Sequence, residues 1–402
     1  MQIFFILGSH PALSIAEITA VLTMRQIAWK NVTSSNEALI LDVPKAVAID
    51  IAWFGGVIKI GTIITTTTVR LLIRSDQKSF ITLLHRSDDA RRVQFGVSVY
   101  KGEQGVQVDT YRALGQRVGM MTKQALQQQG VSVRFVTSKE RVLSSVIVTK
   151  EHLLEHGAEF VFIVTRDRVF VGATTAVQAF EEYGARDFGR PVSDARSGML
   201  PPKVAKMMVN LTATSPRPSP TRRGGDVVIL DPFCGSGTIL QEALLLGYTV
   251  IGSDKSPSAI KDAKKNLTWL RNNFPVSQYP SFQVFQSDIR KLGDYVSPSS
   301  IDAIVTEPYL GPALRAIPTE DKLKPVLQEL TQLYVDAFEI FSRIVKPGGR
   351  VVFIFPVFQT TPPTALSTFV LPKITWKLEQ TFLYGRPGQK VWREIGIFER
   401  KN

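Results

Sequence analysis

Apolar positions recur along this chain with two periods, and the two alternate. Residues 2–7 form an apolar run short enough for a strand. A Ser14-to-Glu17 spacing of three then predicts a capping box that opens a helix over 15–22. Further strands are predicted at 38–43 and 57–64, then at 95–100, 131–136 and 144–150. A long helix is predicted over 110–129, ended by Gly130. A short helical piece begins at His152–Glu155 and ends at Gly157, and a hairpin joins 160–164 to 169–173 through Arg166-Asp167-Arg168. Beyond residue 226 strand and helix alternate regularly. Strands are predicted at 227–230, 249–253, 282–286, 303–306 and 350–356, helices at 238–246, 258–273 and 323–345, and an antiparallel pair at 382–384 and 391–399. That order is the mark of a doubly wound α/β sheet.

The run 215–225, Ser-Pro-Arg-Pro-Ser-Pro-Thr-Arg-Arg-Gly-Gly, interrupts both periods. It has no apolar surface to bury and reads as an exposed linker or loop. Four parts follow: a small α/β unit over 1–75, a second α/β unit over 76–180, a connection over 181–225, and the doubly wound domain over 226–402.

Charge adds a partner to this picture. The 402 residues carry 48 Lys and Arg against 35 Asp and Glu, a formal net charge of +13, which favours a polyanion whose phosphates those side chains neutralise. Cys234 is the single cysteine, so neither an internal disulfide nor a cysteine-based zinc site is available. His152 and His156 stand four apart, but no acid or cysteine pattern completes a metal site, and they read as exposed helix residues. The apolar start lacks a basic leader, and no apolar run has the ~18 residues a membrane span needs, which makes the cytoplasm the expected compartment.

The chemistry gathers at strand ends. Asp231-Pro232-Phe233-Cys234-Gly235-Ser236-Gly237-Thr238 leaves a buried strand and enters a helix, with Gly235 and Gly237 placed to let backbone approach a ligand. Asp254 closes the next strand, where an acid accepts both hydroxyls of a nucleoside ribose, and Asp288 follows the third, within reach of an adenine amino group. The fourth strand runs into Glu307-Pro308-Tyr309-Leu310-Gly311. Acids at successive parallel strand ends line one crevice, where open sheets bind ligands.

In this order these segments resemble the motifs of class I S-adenosylmethionine-dependent methyltransferases, in the version found in enzymes acting on base amino groups. The resemblance extends upstream. Ile6-Leu7-Gly8 with Leu13-Ser14-Ile15-Ala16-Glu17-Ile18 is similar to the N-terminus of the THUMP-domain tRNA guanine-10 N2-methyltransferase family. Val133-Arg134-Phe135 with Leu143-Ser144-Ser145-Val146 resembles its THUMP RNA-binding domain, Arg186-Asp187-Phe188-Gly189-Arg190-Pro191 and Gly198-Met199-Leu200-Pro201-Pro202-Lys203 its junction motifs, and Tyr384-Gly385-Arg386-Pro387 its C-terminal motif.

The resemblance implies a Rossmann-like methyltransferase domain behind an α/β domain and a THUMP-like domain. It implies S-adenosylmethionine at Asp231, Pro232, Gly235, Gly237, Thr238, Asp254 and Asp288, and tRNA as substrate, methylated on a guanine N2. Arg134, Arg186, Arg190 and Lys203 become candidate phosphate contacts; for the last three, a structural role salt-bridging the two halves is an equal reading. Guanine in rRNA and an adenine amine in DNA are alternative substrates, the second disfavoured by the THUMP-like segment. An RNA-binding protein that keeps the fold without the chemistry is the alternative of another class. The family's Asp-Pro-Pro-Tyr signature reads Glu307-Pro308-Tyr309-Leu310 here. Either Glu307 takes the acidic place and Tyr309 that of the second proline, or Pro308-Tyr309 keeps its register and Thr306 stands where the acid belongs. In the first register Glu307 and the Pro308 carbonyl accept from the base amine, and Tyr309 stacks on the base.

Overall fold

Buried central strands flanked by more exposed edge strands build two sheets, one in each of two compact units. The computed structural model describes residues 1–74, 80, 84, 93–193, 199–213, 227–274, 279–314 and 316–400. The linker run 215–225 and Gly198 lie outside the described residues. Met1–Ile15 with Ile27–Phe180 form the first unit, and Ala16–Gln26 with Glu181–Asn402 the second.

The first unit is one eight-stranded sheet in the order β2-β3-β1-β4-β8-β7-β5-β6. Its strands are β1 (Gln2–Leu7), β2 (Lys30–Ser34), β3 (Ala38–Asp42), β4 (Val57–Thr67), β5 (Val93–Lys101), β6 (Val133–Val136), β7 (Gly157–Val164) and β8 (Val169–Val177). β4 pairs with β8, so strands from the two expected N-terminal parts share a single sheet. The sheet is mixed: β5 is parallel to both β6 and β7, and the hairpin β7–β8 is antiparallel. A helix over Arg112–Gln128 covers it through Leu114, Val118 and Leu126, which recur at helical spacing.

Three local expectations change. The predicted strand 144–150 is a helix, Ser145–Lys150, because the Ser144 hydroxyl accepts from the Ile147 N–H and caps it. The piece after it is a turn, with His152 at a φ of 48°, and Gly157 opens β7 instead of ending a helix. The first helix, α1 (Pro11–Met24), starts before the supposed capping box. Ser14 Oγ donates back to the His10 carbonyl (3.1 Å), and Glu17 is buried, accepting from Asn210 Nδ2 (2.7 Å). β2 went unpredicted because it is a polar edge strand with nothing apolar to alternate.

The second unit carries the doubly wound sheet, ordered β11-β10-β9-β12-β13-β16-β15. Its strands are β9 (Val228–Asp231), β10 (Thr249–Asp254), β11 (Phe282–Gln286), β12 (Ile301–Thr306), β13 (Val345–Phe358), β15 (Lys377–Tyr384) and β16 (Val391–Glu399), with the short β14 (Thr364–Ala365) paired to β13. The first five in that order are parallel, and β16 runs back against β13. The helices α2 (Pro202–Asn210), α3 (Thr238–Leu245), α4 (Pro257–Asn273) and α5 (Glu320–Ile344) belong to this unit. α5 packs Tyr334, Phe338 and Phe341 against Phe353 and Phe355 of β13, a cluster of aromatic edges and faces. The chain passes from β9 outward to β10 and β11, then returns to β12 on the other side of β9. The gap between β9 and β12 is therefore the switch point at which an open sheet leaves a crevice beyond its strand ends.

Candidate functional site

β9 delivers Asp231 to that switch point and buries it. Its Oδ1 accepts from the Thr306 hydroxyl (2.7 Å) and from the Phe233 N–H (3.2 Å). Burial pushes its carboxyl up to about 7, with the Thr306 and Phe233 bonds pulling the other way. The loop then turns through Gly235 and Gly237, at φ of +50° and +87°, which side chains other than glycine rarely adopt. A Cβ placed on Gly235 would meet no atom within 4 Å, so the loop backbone faces open space there. Gly237 is the N-cap of α3 and has no side chain with which to cap the first N–H groups of the helix.

Asp254 braces this loop. Its Oδ2 accepts from the Gly235 N–H (3.1 Å) and its Oδ1 from the Ser256 N–H (2.9 Å). A carboxylate has room for about four hydrogen bonds, so acceptor capacity remains. Asp288 follows β11 and caps the turn Ile289–Asp294, accepting from the Arg290 N–H (3.0 Å).

A crevice of about 590 Å³ opens between the glycine loop and the segment after β12. Asp231, Gly235 and Thr238 line it from one side, Glu307, Pro308 and Tyr309 from the other, and Met199, Leu200 and Phe233 give it apolar walls. Asp254 and Asp288 stand at the neighbouring strand ends outside this lining. The size suits a nucleoside-sized ligand.

The two registers of the signature part here. Thr306 is buried and bonded to Asp231, whereas Glu307 faces the crevice. Glu307 is held by the Nε–H of Arg393, a buried side chain of β16 that also lines the crevice. Burial raises the Glu307 carboxyl above its ordinary value, and Arg393 opposes that shift. Tyr309 leaves 46% of its surface exposed while its carbonyl accepts from the Tyr334 hydroxyl of α5 (2.8 Å), so the ring is presented by an anchored backbone.

The junction residues face inward. Arg186 donates to Glu242 Oε1 (2.6 Å) beneath the ring of Tyr183, with Lys206 3.5 Å from the same carboxylate. Arg190 donates to Thr238 Oγ1 (2.8 Å) and to Met199 Sδ (2.9 Å). At 2% and 3% exposure neither guanidinium is open to a phosphate, and Arg186 pairs with a carboxylate of its own unit, not with one of the other half. Lys203 is half-buried, its Nζ 5.3 Å from the Tyr183 ring centre. In the first unit Arg134 is exposed and paired with Glu151 (2.7 Å).

Two residues of the site escape a reading by motif. Asn266, buried in α4, accepts from the Val192 N–H (3.0 Å) and donates to the carbonyls of Val192 and Ser236 (both 2.9 Å), tying the junction to the glycine loop. Arg393 is the other. A cation in phase with Ile395 and Ile397 along a strand is the signal that points to it.

Comparison with known proteins agrees with this arrangement. Residues 192–371 match the family model UPF0020, described as an RMKL-like methyltransferase domain. The chain is 37% identical over 114 residues to the tRNA (guanine(10)-N2)-dimethyltransferase of Methanothermobacter thermautotrophicus, 28% of each protein. It is 31% identical over 171 residues to the enzyme of that name from Pyrococcus abyssi, 42% of this chain and 41% of that one. The matches thus span less than half the length of these curated relatives. The structure of TrmN from Thermus thermophilus aligns over 100% of both chains with a TM-score of 0.55 at 16% identity, which shows a common fold.

Proposed function

We propose that this chain transfers a methyl group from S-adenosylmethionine to the N2 amine of a guanine in tRNA. The observation that carries the reading is the crevice at the β9/β12 switch point, where a glycine loop faces a carboxylate and an exposed tyrosine across a nucleoside-sized gap. The residues present fit the cofactor: Gly235 opens on free space, α3 begins there, and Asp254 keeps acceptor capacity beside the loop. Bound there, S-adenosylmethionine would supply a methyl carbon activated by a sulfonium. Asp254 would hold the ribose, the backbone of Gly235 and Gly237 would admit the cofactor, and Asp288 would accept from the adenine amine.

The chain's own task is to present a poor nucleophile, because the guanine amine is conjugated with its ring. Glu307 accepts an amine hydrogen and turns nitrogen density outward, the Pro308 carbonyl accepts the second, and Tyr309 supports the base from one face. The 226–402 part carries this chemistry, and the 76–180 part, with Arg134 on its surface, contributes RNA affinity. Glu307 takes the acidic place of the signature, since Thr306 is committed to Asp231.

The test is mass spectrometry of nucleosides from tRNA incubated with the protein and cofactor, alongside Glu307→Gln. The expected product is N2-methylated guanosine, with single-turnover rate lowered about 10²- to 10³-fold in Glu307→Gln, as for loss of one preorganised contact. Methyl found on adenine, or in rRNA alone, would replace the substrate. Cofactor binding without transfer to any nucleic acid would favour an RNA-binding protein that keeps the fold.

A further inference from the structure

The reversed strand β16 brings a cation to the crevice. β16 runs antiparallel to β13, so its first residues lie at the edge where the parallel strands end. Arg393, third in β16, pairs with Pro356 near the end of β13, while Thr306 at the end of β12 pairs with Phe353. From there the Arg393 side chain spans the end of β13 and meets Glu307 inside the crevice. Arg393 is 7% exposed, and Glu307 has little solvent of its own. A carboxylate so placed needs a partner to stay ionised.

We infer that Arg393 is a positioning residue: its guanidinium fixes one oxygen of Glu307 and keeps the carboxylate an acceptor, leaving the other oxygen for the substrate amine. The inference rests on the proposed methyl transfer. A protonated Glu307 would donate where the reaction needs an acceptor, and a swinging one would not hold the amine in line. Among the described residues, the charged and titratable groups facing Glu307 are Arg393 from β16, Asp231 from β9 and Tyr334 from α5, and of these Arg393 brings the positive charge.

The experiment compares Arg393→Met, Arg393→Lys, Glu307→Gln and the double variant Arg393→Met/Glu307→Gln by single-turnover transfer to tRNA between pH 6.5 and 9. Cofactor affinity is measured by calorimetry on each. Arg393→Met is expected to lose about 10- to 100-fold at pH 7, the range for partners that orient a reacting group. It should regain rate as pH rises and Glu307 ionises unaided. Arg393→Lys restores a cation and most of the rate, and the double variant is no slower than Glu307→Gln. Cofactor affinity is unchanged throughout. A loss that is equal at every pH and adds to that of Glu307→Gln would make Arg393 a brace of the strand only, and no loss would remove it altogether. Unimpaired Glu307→Gln would instead overturn the role of Glu307.

A second measurement does not depend on turnover. Denaturation of Arg393→Met should show stability falling as pH rises above the ordinary glutamate value, because the unfolded chain then ionises where the folded one stays neutral. In the double variant only the slope that Asp231 contributes should remain. Matching pH curves for the two would overturn the inference even if tRNA were not the substrate.

Discussion

Asp231 shows how much of the site is decided by one side chain's surroundings. Its carboxyl lies in the protein interior with two donors on a single oxygen, and burial outweighs both in raising it to about 7. The linkage follows in sign. Below the ordinary aspartate value, 3.8, folded and unfolded chains both carry the proton, and its contribution to stability is complete. As pH rises toward about 7 the unfolded chain ionises first, and that contribution is lost. The stability of the wild type is therefore expected to decline from pH 5 to 8 relative to Asp231→Asn, which keeps the shape and cannot ionise. Chemical denaturation across that range checks it; parallel curves would mean that Asp231 is ionised in the folded protein. Glu307 differs in having Arg393 beside it, which opposes the upward shift that burial gives both acids.

At the scale of elements, the crevice depends on how α4 holds two loops. Asn266 makes three bonds to backbone groups of Val192 and Ser236, both of which line the crevice. Removing its amide leaves part-buried backbone groups without this partner, at about 1–3 kcal/mol for each group that water cannot reach. Asn266→Ala should accordingly lower stability by about that amount and weaken S-adenosylmethionine binding, since the glycine loop and the junction then drift apart. Denaturation and calorimetry on the same preparation decide the matter. Unchanged affinity in a destabilised variant would show that α3 and Asp254 keep the loop in shape without α4. The same scale explains the helix at Ser145–Lys150. Its β-branched residues favour a strand, but one serine cap and a single buried face, through Val148, suffice for six residues.

For the whole molecule, charge and division of labour count together. An excess of 13 positive charges would make the proposed association with tRNA an electrostatic one, in which phosphate contacts release counterions. The affinity of the full chain for tRNA is expected to fall at least about tenfold between 50 and 200 mM salt, linearly in the logarithm of concentration. Cofactor affinity should change little over that range. Filter binding at several salt concentrations measures the slope, and a flat response would place RNA recognition in uncharged contacts. Among the described residues no helix is long and apolar enough to cross a membrane.

The order of strands and helices after residue 226 was legible in the chain because each buried strand is a short apolar run and each helix an amphipathic one, patterns that local physics sets. So was the place of Asp231, Gly235, Gly237 and Asp254 at strand ends and at a helix start, since strand-end acids and a glycine turn stand in sequence order with the strands that carry them. The inward turn of Arg186 and Arg190 was not, because a guanidinium's burial depends on a carboxylate 56 residues away in one case and a hydroxyl 48 away in the other. Nor was the choice between Glu307 and Thr306, which lies with Asp231 and Arg393 on other strands. Pattern along the chain fixes which elements form. Which long side chains meet across a sheet edge is set only when β9, β12 and the reversed β16 end together, for hydrogen bonds and ion pairs act over a few ångströms whatever the separation in sequence.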